Sequence, residues 1–144
     1  MYIRDVIEIQ TSVRIARPAS EVFALLSDPT RFPLWNSAVD SVRPTGSTFA
    51  MERTLPGGRA RNELEITELG APERFGIRTL SGPTPFAYRY RLTPDGGATV
   101  VALDATVELG RPAELLGPVA ARAVKHGIDA NLATLRDALE RDGR

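Results

Sequence analysis

Length, composition and charge place this chain among ordinary globular proteins and exclude several classes of function. Its 144 residues suit one domain, spanning 1–144, and 18 Lys and Arg balance 18 Asp and Glu, so no excess of basic charge predicts a nucleic-acid partner. The absence of cysteine excludes a disulfide scaffold, a Cys-ligated zinc and a thiol nucleophile. Without an apolar run of about 18 residues or a signal-like N-terminal segment, we expect a cytoplasmic protein with no membrane span.

The chain begins with a strand and two short helices. From residue 7 to residue 15 the odd positions are apolar or Thr and the even positions are polar, which is typical of a half-buried strand. The pattern then predicts a short helix from Ala19 to Ser27. Asp28 followed by Pro29 indicates the cap and first position of a second short helix, which ends near Trp35.

After Trp35 the apolar residues recur with a period of two. The segments with this period are residues 39–43, 48–55, 59–69, 74–79, 86–92 and 101–109. Turns rich in Gly and Pro separate them, for example Pro56-Gly57-Gly58 and residues 94–97. Because the connections are short, consecutive strands should be antiparallel neighbours with one apolar and one charged face.

A long helix, roughly Pro112 to Arg141, ends the chain, and its apolar stripe is uneven. The large members are Ile128, Leu132, Leu135 and Leu139, and the small ones are Gly117, Ala120, Ala121 and then Val124. Gly117-Pro118 predicts a break, with Pro118 near the first position of the main helix. This helix is the element large enough to cover the apolar face of the sheet. Its small residues then either allow close packing or border a gap.

Several short motifs resemble one family. They are IARPASEVF at residues 15–23, LSDP at 26–29, FPLW at 32–35, EITEL at 65–69, SGP at 81–83 and DGG at 95–97. In this order they resemble the START-like (SRPBCC) superfamily, and within it the bacterial polyketide cyclase/dehydrase and lipid-transport group. The resemblance implies an α+β helix-grip fold. In that fold a seven-stranded antiparallel sheet curls around the long C-terminal helix, two short helices lie between strands 1 and 2, and an apolar cavity binds hydrophobic small molecules.

Four polar residues are candidates for catalysis or ligand orientation. Asn62, Tyr88 and Tyr90 fall on the inward face by alternation. There each side chain either fills the core, with its polar group hydrogen-bonded to protein or water, or contacts a ligand. Arg53 lies near the end of its strand, where it either extends to solvent or binds an enolate or carboxylate at the cavity mouth. The only histidine, His126, points away from the apolar stripe, so we expect neither a metal site nor a Ser-His-Asp triad.

The preferred interpretation is a domain that binds a hydrophobic or amphipathic molecule, without a cofactor. The predicted lining is Trp35, Phe49, Met51, Asn62, Leu64, Phe75, Ile77, Phe86, Tyr88, Tyr90, Leu103, Ala120, Ala121 and Val124. The alternatives are a polyketide cyclase/dehydrase-type enzyme acting on a poly-β-ketone, and an interaction module whose cavity is filled by its own side chains. The sequence leaves open whether the protein is a homodimer.

Overall fold

The order of secondary-structure elements agrees with the sequence pattern. The computed structural model describes the backbone of residues 5–55, 57–109 and 113–142, and the side chains of residues 6–55, 57–109 and 119–141. Within these ranges the elements are β1 (Asp5–Ile15), α1 (Ala19–Leu26), a 3-10 helix (Pro29–Leu34), β2 (Val39–Thr45), β3 (Thr48–Leu55), β4 (Gly58–Gly70), β5 (Arg74–Ser81), β6 (Phe86–Asp95), β7 (Ala98–Leu109) and α2 (Ala113–Asp142). Pro56 and Pro112, predicted in a turn and at a helix start, lie outside the described residues.

The strands form one antiparallel sheet in the order β1-β7-β6-β5-β4-β3-β2. The predicted meander from β2 to β7 is therefore confirmed, and β1 joins it by pairing with β7 from Asp5–Leu109 to Ile15–Thr99. Because β1 and β2 are the two edges, α1 and the 3-10 helix connect opposite sides of the sheet. Asp28 caps the 3-10 helix as predicted, since its Oδ1 accepts the backbone N–H of Thr30 at 3.1 Å.

Bulges curve the sheet in its middle. The register between β4 and β5 shifts between Ile66 and Glu68, and such an extra residue bends a strand and increases its twist. A Cβ on Gly76 would lie 2.5 Å from the hydroxyl of Thr67, so only glycine lets β5 approach β4 at this bulge. The resulting curvature lets the sheet enclose α2 on one face.

The large half of the α2 stripe fills the core, as the sequence predicts. Ile128, Leu132, Leu135 and Leu139 are all buried against the inner face of the sheet. The predicted break is wrong, because α2 is continuous from Ala113 through residues 117 and 118. A proline has a helical φ and removes one backbone hydrogen bond, so a helix can continue through it.

Polar contacts connect α2 to β1 and to the segment that follows β1. The hydroxyl of Thr11 donates to Asp129 Oδ1 at 2.6 Å. Arg17 donates from Nε to the carbonyl of Leu139 and from Nη2 to the carbonyl of Glu140, both at 3.1 Å. These carbonyls lie in the last turn of a helix, where backbone acceptors lack helical partners and a positive charge is favourable.

Candidate functional site

A mostly apolar cavity of about 220 Å³ lies between the inner face of the sheet and the middle of α2, and it is partly open to solvent. The end of the 3-10 helix, the inner faces of the strands and one stretch of α2 build its wall. The lining residues are Phe32, Trp35, Asn36, Ala38, Val39, Met51, Arg53, Ile77, Thr84, Phe86, Tyr88, Tyr90, Val107, Ala123, Val124, Gly127, Ile128 and Asn131. Side chains of the core therefore leave space unfilled at this end of the helix.

Half of the lining predicted from the sequence lies in this wall. These residues are Trp35, Met51, Ile77, Phe86, Tyr88, Tyr90 and Val124, and the candidate Arg53 joins them. The others lie elsewhere: Asn62, Leu64, Phe75 and Leu103 are buried, and Phe49, Ala120 and Ala121 are partly buried against the core. Inward alternation identifies the correct face of each strand, but it does not separate the filled part of that face from the unfilled part.

The wall on α2 lies further along the helix than the small half of the stripe suggests. Ala123, Gly127 and Asn131 recur every four residues beside Val124 and Ile128. This second row of small and polar residues is the sequence signal that locates the cavity. A Cβ added to Gly127 would meet no atom within 4 Å, so the space beside α2 at this position is unfilled.

A cluster formed by Arg53, Asn62 and the loop after β5 borders the cavity. Arg53 Nε donates to Asn62 Oδ1 at 2.9 Å, and Arg53 Nη2 donates to the carbonyl of Pro83 at 2.7 Å. Asn62 Nδ2 donates to the carbonyls of Ser81 at 3.1 Å and Pro83 at 2.9 Å. Asn62 is fully buried and uses its oxygen and both amide hydrogens within the protein, so it orients Arg53 and lies behind the wall.

The loop that accepts these bonds has an unusual backbone. Gly82 has φ +99°, and a Cβ there would collide with the carbonyl of Arg61 and lie 2.7 Å from Asn62 Nδ2. Thr84, which lines the cavity, has φ +53°. A left-handed conformation is strained for a β-branched residue, and such strain persists where surrounding contacts hold it. The Arg53 and Asn62 bonds to the carbonyl of Pro83 are such contacts.

Two tyrosines supply further polar groups in an aromatic row on β6. The rings of Phe86 and Tyr88 lie 4.7 Å apart, and those of Tyr88 and Tyr90 meet edge to face at 6.3 Å. Burial raises the pKa of Tyr88 to about 12, while the charge of Arg53 opposes the shift. Burial, with a smaller effect of Tyr88, raises the pKa of Tyr90 well above its ordinary value. Both hydroxyls are therefore neutral donors at physiological pH.

Trp35 closes the end of the cavity beside the 3-10 helix. Its ring packs edge to face on Phe32 at 5.5 Å, and the residue is buried. The indole N–H is buried and has no hydrogen-bond partner among the described residues. An unpaired buried donor costs about 1–3 kcal/mol, so an acceptor brought by a ligand would find a ready partner here.

Other potentially reactive side chains lie outside the cavity. His126 is exposed, as are Asp104 and Lys125, and Glu52 is partly exposed on the outer face of β3. Within the described residues, no three acidic or histidine side chains stand close enough together to hold a metal ion. None of the described helices combines the length and the apolar character needed to cross a bilayer.

The curved sheet, the C-terminal helix and the cavity between them define a START-like helix-grip domain. The chain belongs to the family described as polyketide cyclase / dehydrase and lipid transport, which matches it over residues 6–140. The resemblance of the short sequence motifs to this family is thereby confirmed.

Solved structures support the same fold. A START superfamily protein from Mycobacterium smegmatis is 16% identical, with a TM-score of 0.81 over 94% of this chain and 98% of that one. A protein from Thermus thermophilus is 19% identical, with a TM-score of 0.80 over 95% and 99%. A conserved protein from Geobacillus kaustophilus is 15% identical, with a TM-score of 0.77 over 96% of both chains. No curated protein sequence matches the chain.

Proposed function

We propose that this domain binds a small hydrophobic or amphipathic molecule, of lipid-, polyketide- or quinone-like character, in the cavity between the sheet and α2. The observation that carries the proposal is the unfilled cavity of about 220 Å³, with a wall that is mainly aliphatic and aromatic. Small-molecule sites typically combine such a wall with a few placed polar groups. Arg53, Tyr88 and Trp35 supply those groups here.

The size of the cavity limits the ligand. Since a water molecule takes about 30 Å³ in the liquid, and a methylene is similar, a volume of about 220 Å³ holds about seven groups of that size. This is below the usual range of about 300–1,000 Å³ for ligand sites. We therefore expect a compact ligand, or one whose tail extends through the open side.

Polyketide cyclase/dehydrase-type catalysis is the second candidate. Arg53 and the hydroxyl of Tyr88 share one wall, and donors arranged in this way can stabilise the enolate of a poly-β-ketone. Under this alternative Tyr88→Phe should abolish turnover, whereas a binding protein should lose no more than about 1–2 kcal/mol of affinity.

The third alternative is an interaction module, whose cavity would be filled by its own side chains. The unfilled volume of about 220 Å³ favours the binding function over this alternative.

The test combines native mass spectrometry with uptake of the neutral fluorophore 1-naphthylamine. The purified protein should carry a stoichiometric non-covalent adduct or take up the fluorophore saturably. Val124→Trp places a large ring in the cavity wall and should abolish uptake. Val119→Trp is the matched control, because it makes the same change on the same helix at a position that is 66% exposed.

Two outcomes would contradict the proposal. One is a wild-type protein that carries no adduct and shows no saturable uptake. The other is uptake by Val124→Trp that equals uptake by wild type, with both variants folded by circular dichroism. Loss of uptake in Val119→Trp as well would show that a tryptophan on this helix abolishes uptake without blocking the cavity, so the Val124 result would no longer support the proposal.

A further inference from the structure

Arg53 is the one charged side chain among the described residues that line the cavity. The same wall contains no Asp or Glu, and among the described residues no carboxylate lies within ion-pair distance of Arg53. A charge that is partly removed from water is normally balanced by an opposite charge. The cavity thus presents a single positive charge with no counter-charge from its own described wall.

The guanidinium of Arg53 is held in a fixed orientation and still has free donors. Its Nε–H binds Asn62, and one Nη2 hydrogen binds the carbonyl of Pro83. A guanidinium has five N–H donors, so three have no partner among the described residues, including one on each terminal nitrogen. Two such parallel hydrogens match the two oxygens of a carboxylate.

The neighbouring polar groups of the wall are donors as well. Neither Tyr88 nor Trp35 has a hydrogen-bond partner among the described residues. The side-chain oxygens of Asn36 and Asn131 each accept one backbone N–H group, from Ala38 and Ser37 respectively, and their amide hydrogens have no partner among the described residues. Arg53 and Trp35 can only donate, and the other groups named here can donate as well, so the wall suits a ligand group that only accepts hydrogen bonds.

We propose that the ligand is a small amphipathic carboxylic acid, whose carboxylate pairs with Arg53 and whose apolar body fills the aromatic part of the cavity. This rests on the proposed function, since it assigns the ligand class of the same cavity. Asn62 acts as a positioning residue for the guanidinium. The Tyr88 hydroxyl supplies a further hydrogen bond to the carboxylate.

The experiment compares octanoate, 1-octanol and octylamine by competition against 1-naphthylamine. These probes share one apolar chain and differ in the charge of the head group. Wild type should bind octanoate at least about ten-fold more tightly than 1-octanol, which is a modest value for a charge-assisted pair. Octylamine should bind no better than 1-octanol.

Arg53→Gln should remove the preference for octanoate and change the affinity for 1-octanol less than about three-fold. Arg43→Gln is the matched control, because Arg43 is exposed on β2 outside the cavity, and it should retain the preference. A measurement on wild type alone keeps the test independent of how the variants fold. Octanoate affinity, measured directly by calorimetry because 1-naphthylamine itself takes up a proton in acid, should fall as the pH drops below about 4–5, where a carboxylic acid takes up its proton, while 1-octanol affinity stays constant.

Equal binding of octanoate and 1-octanol by wild type would overturn the carboxylic-acid assignment and leave the binding function standing. Retention of the preference in Arg53→Gln would overturn the role of Arg53. Failure of every probe, 1-naphthylamine included, would overturn the proposed function and this inference together.

Discussion

Replacing Asn62 by Leu removes the amide that connects β4, Arg53 and the loop after β5. Three hydrogen bonds are lost: two to backbone carbonyls and one from the guanidinium. A neutral bond contributes about 1 kcal/mol and one to a charged group about 1.5–3 kcal/mol. Because Ser81 and Pro83 are exposed, their carbonyls can be rehydrated. We therefore expect a loss of about 2–4 kcal/mol, out of a total stability of about 5–15 kcal/mol.

Urea unfolding followed by the fluorescence of Trp35 measures this loss, since Trp35 is the only tryptophan and is buried. Asn131→Leu is the matched control: its Oδ1 accepts only a long bond of 3.4 Å from the N–H of Ser37, so it should change stability by less than about 1 kcal/mol. Leu has the same number of side-chain heavy atoms and the same branching as Asn, so the Asn62 variant leaves no void. Equal losses of unfolding free energy in the two variants would refute the argument that the hydrogen bonds of the buried Asn62 amide stabilise this cluster.

Three further changes have predictable effects on stability. Gly127→Ala should raise the free energy of unfolding by about 0.5–1 kcal/mol in thermal melts, because the residue lies inside α2 with open space around a new Cβ. Gly82→Ala should lower it by at least about 1 kcal/mol in urea unfolding, because φ is positive and a Cβ collides with backbone. The pKa of Asp129 is lowered by hydrogen bonds from Lys125 and from the hydroxyl of Thr11, so its contribution to stability is complete above the unfolded pKa of about 4 and is lost as the pH falls through the lowered pKa. Thr11→Val should therefore be less stable than wild type at neutral pH, with a deficit that shrinks below about pH 4.

A control variant and three possible results would contradict these predictions. Thr134→Val removes a hydroxyl that bonds only within its own helix, so it should show no such dependence on pH. A pH-independent deficit in Thr11→Val would contradict the link to Asp129. Wild-type stability in Gly82→Ala would contradict the close approach of that loop, and destabilisation in Gly127→Ala would contradict the open space beside α2.

The sequence predicts the fold well because alternation and turn residues act locally. The strand predicted at residues 48–55 is observed as Thr48–Leu55, and inward positions such as Leu64 and Ile77 are buried. The long helix is predicted for the same reason, since its large apolar residues recur at helical spacing over several turns. Each of these patterns is contained in a short window of the chain.

The site is harder to predict because it depends on how two distant elements meet. The bulge between Ile66 and Glu68 sets the curvature of the sheet, and alternation carries no sign of it. That curvature places the gap against residues 123–131 of α2 and not against Ala120 and Ala121. The bonds from Arg53 and Asn62 to Pro83 depend on a loop with a left-handed threonine, for which no sequence signature exists.

The order of the strands also has a consequence for synthesis of the chain. Because Asp5 pairs with Leu109 and Ile15 with Thr99, β1 has no partner until the last strand is complete. Contacts between residues so far apart are slow to form, because a long loop must close first. A nascent chain that ends before Ala98 thus leaves β1 unpaired and the apolar face of the sheet uncovered, and the sheet is complete and covered only after β7 and α2 have left the ribosome.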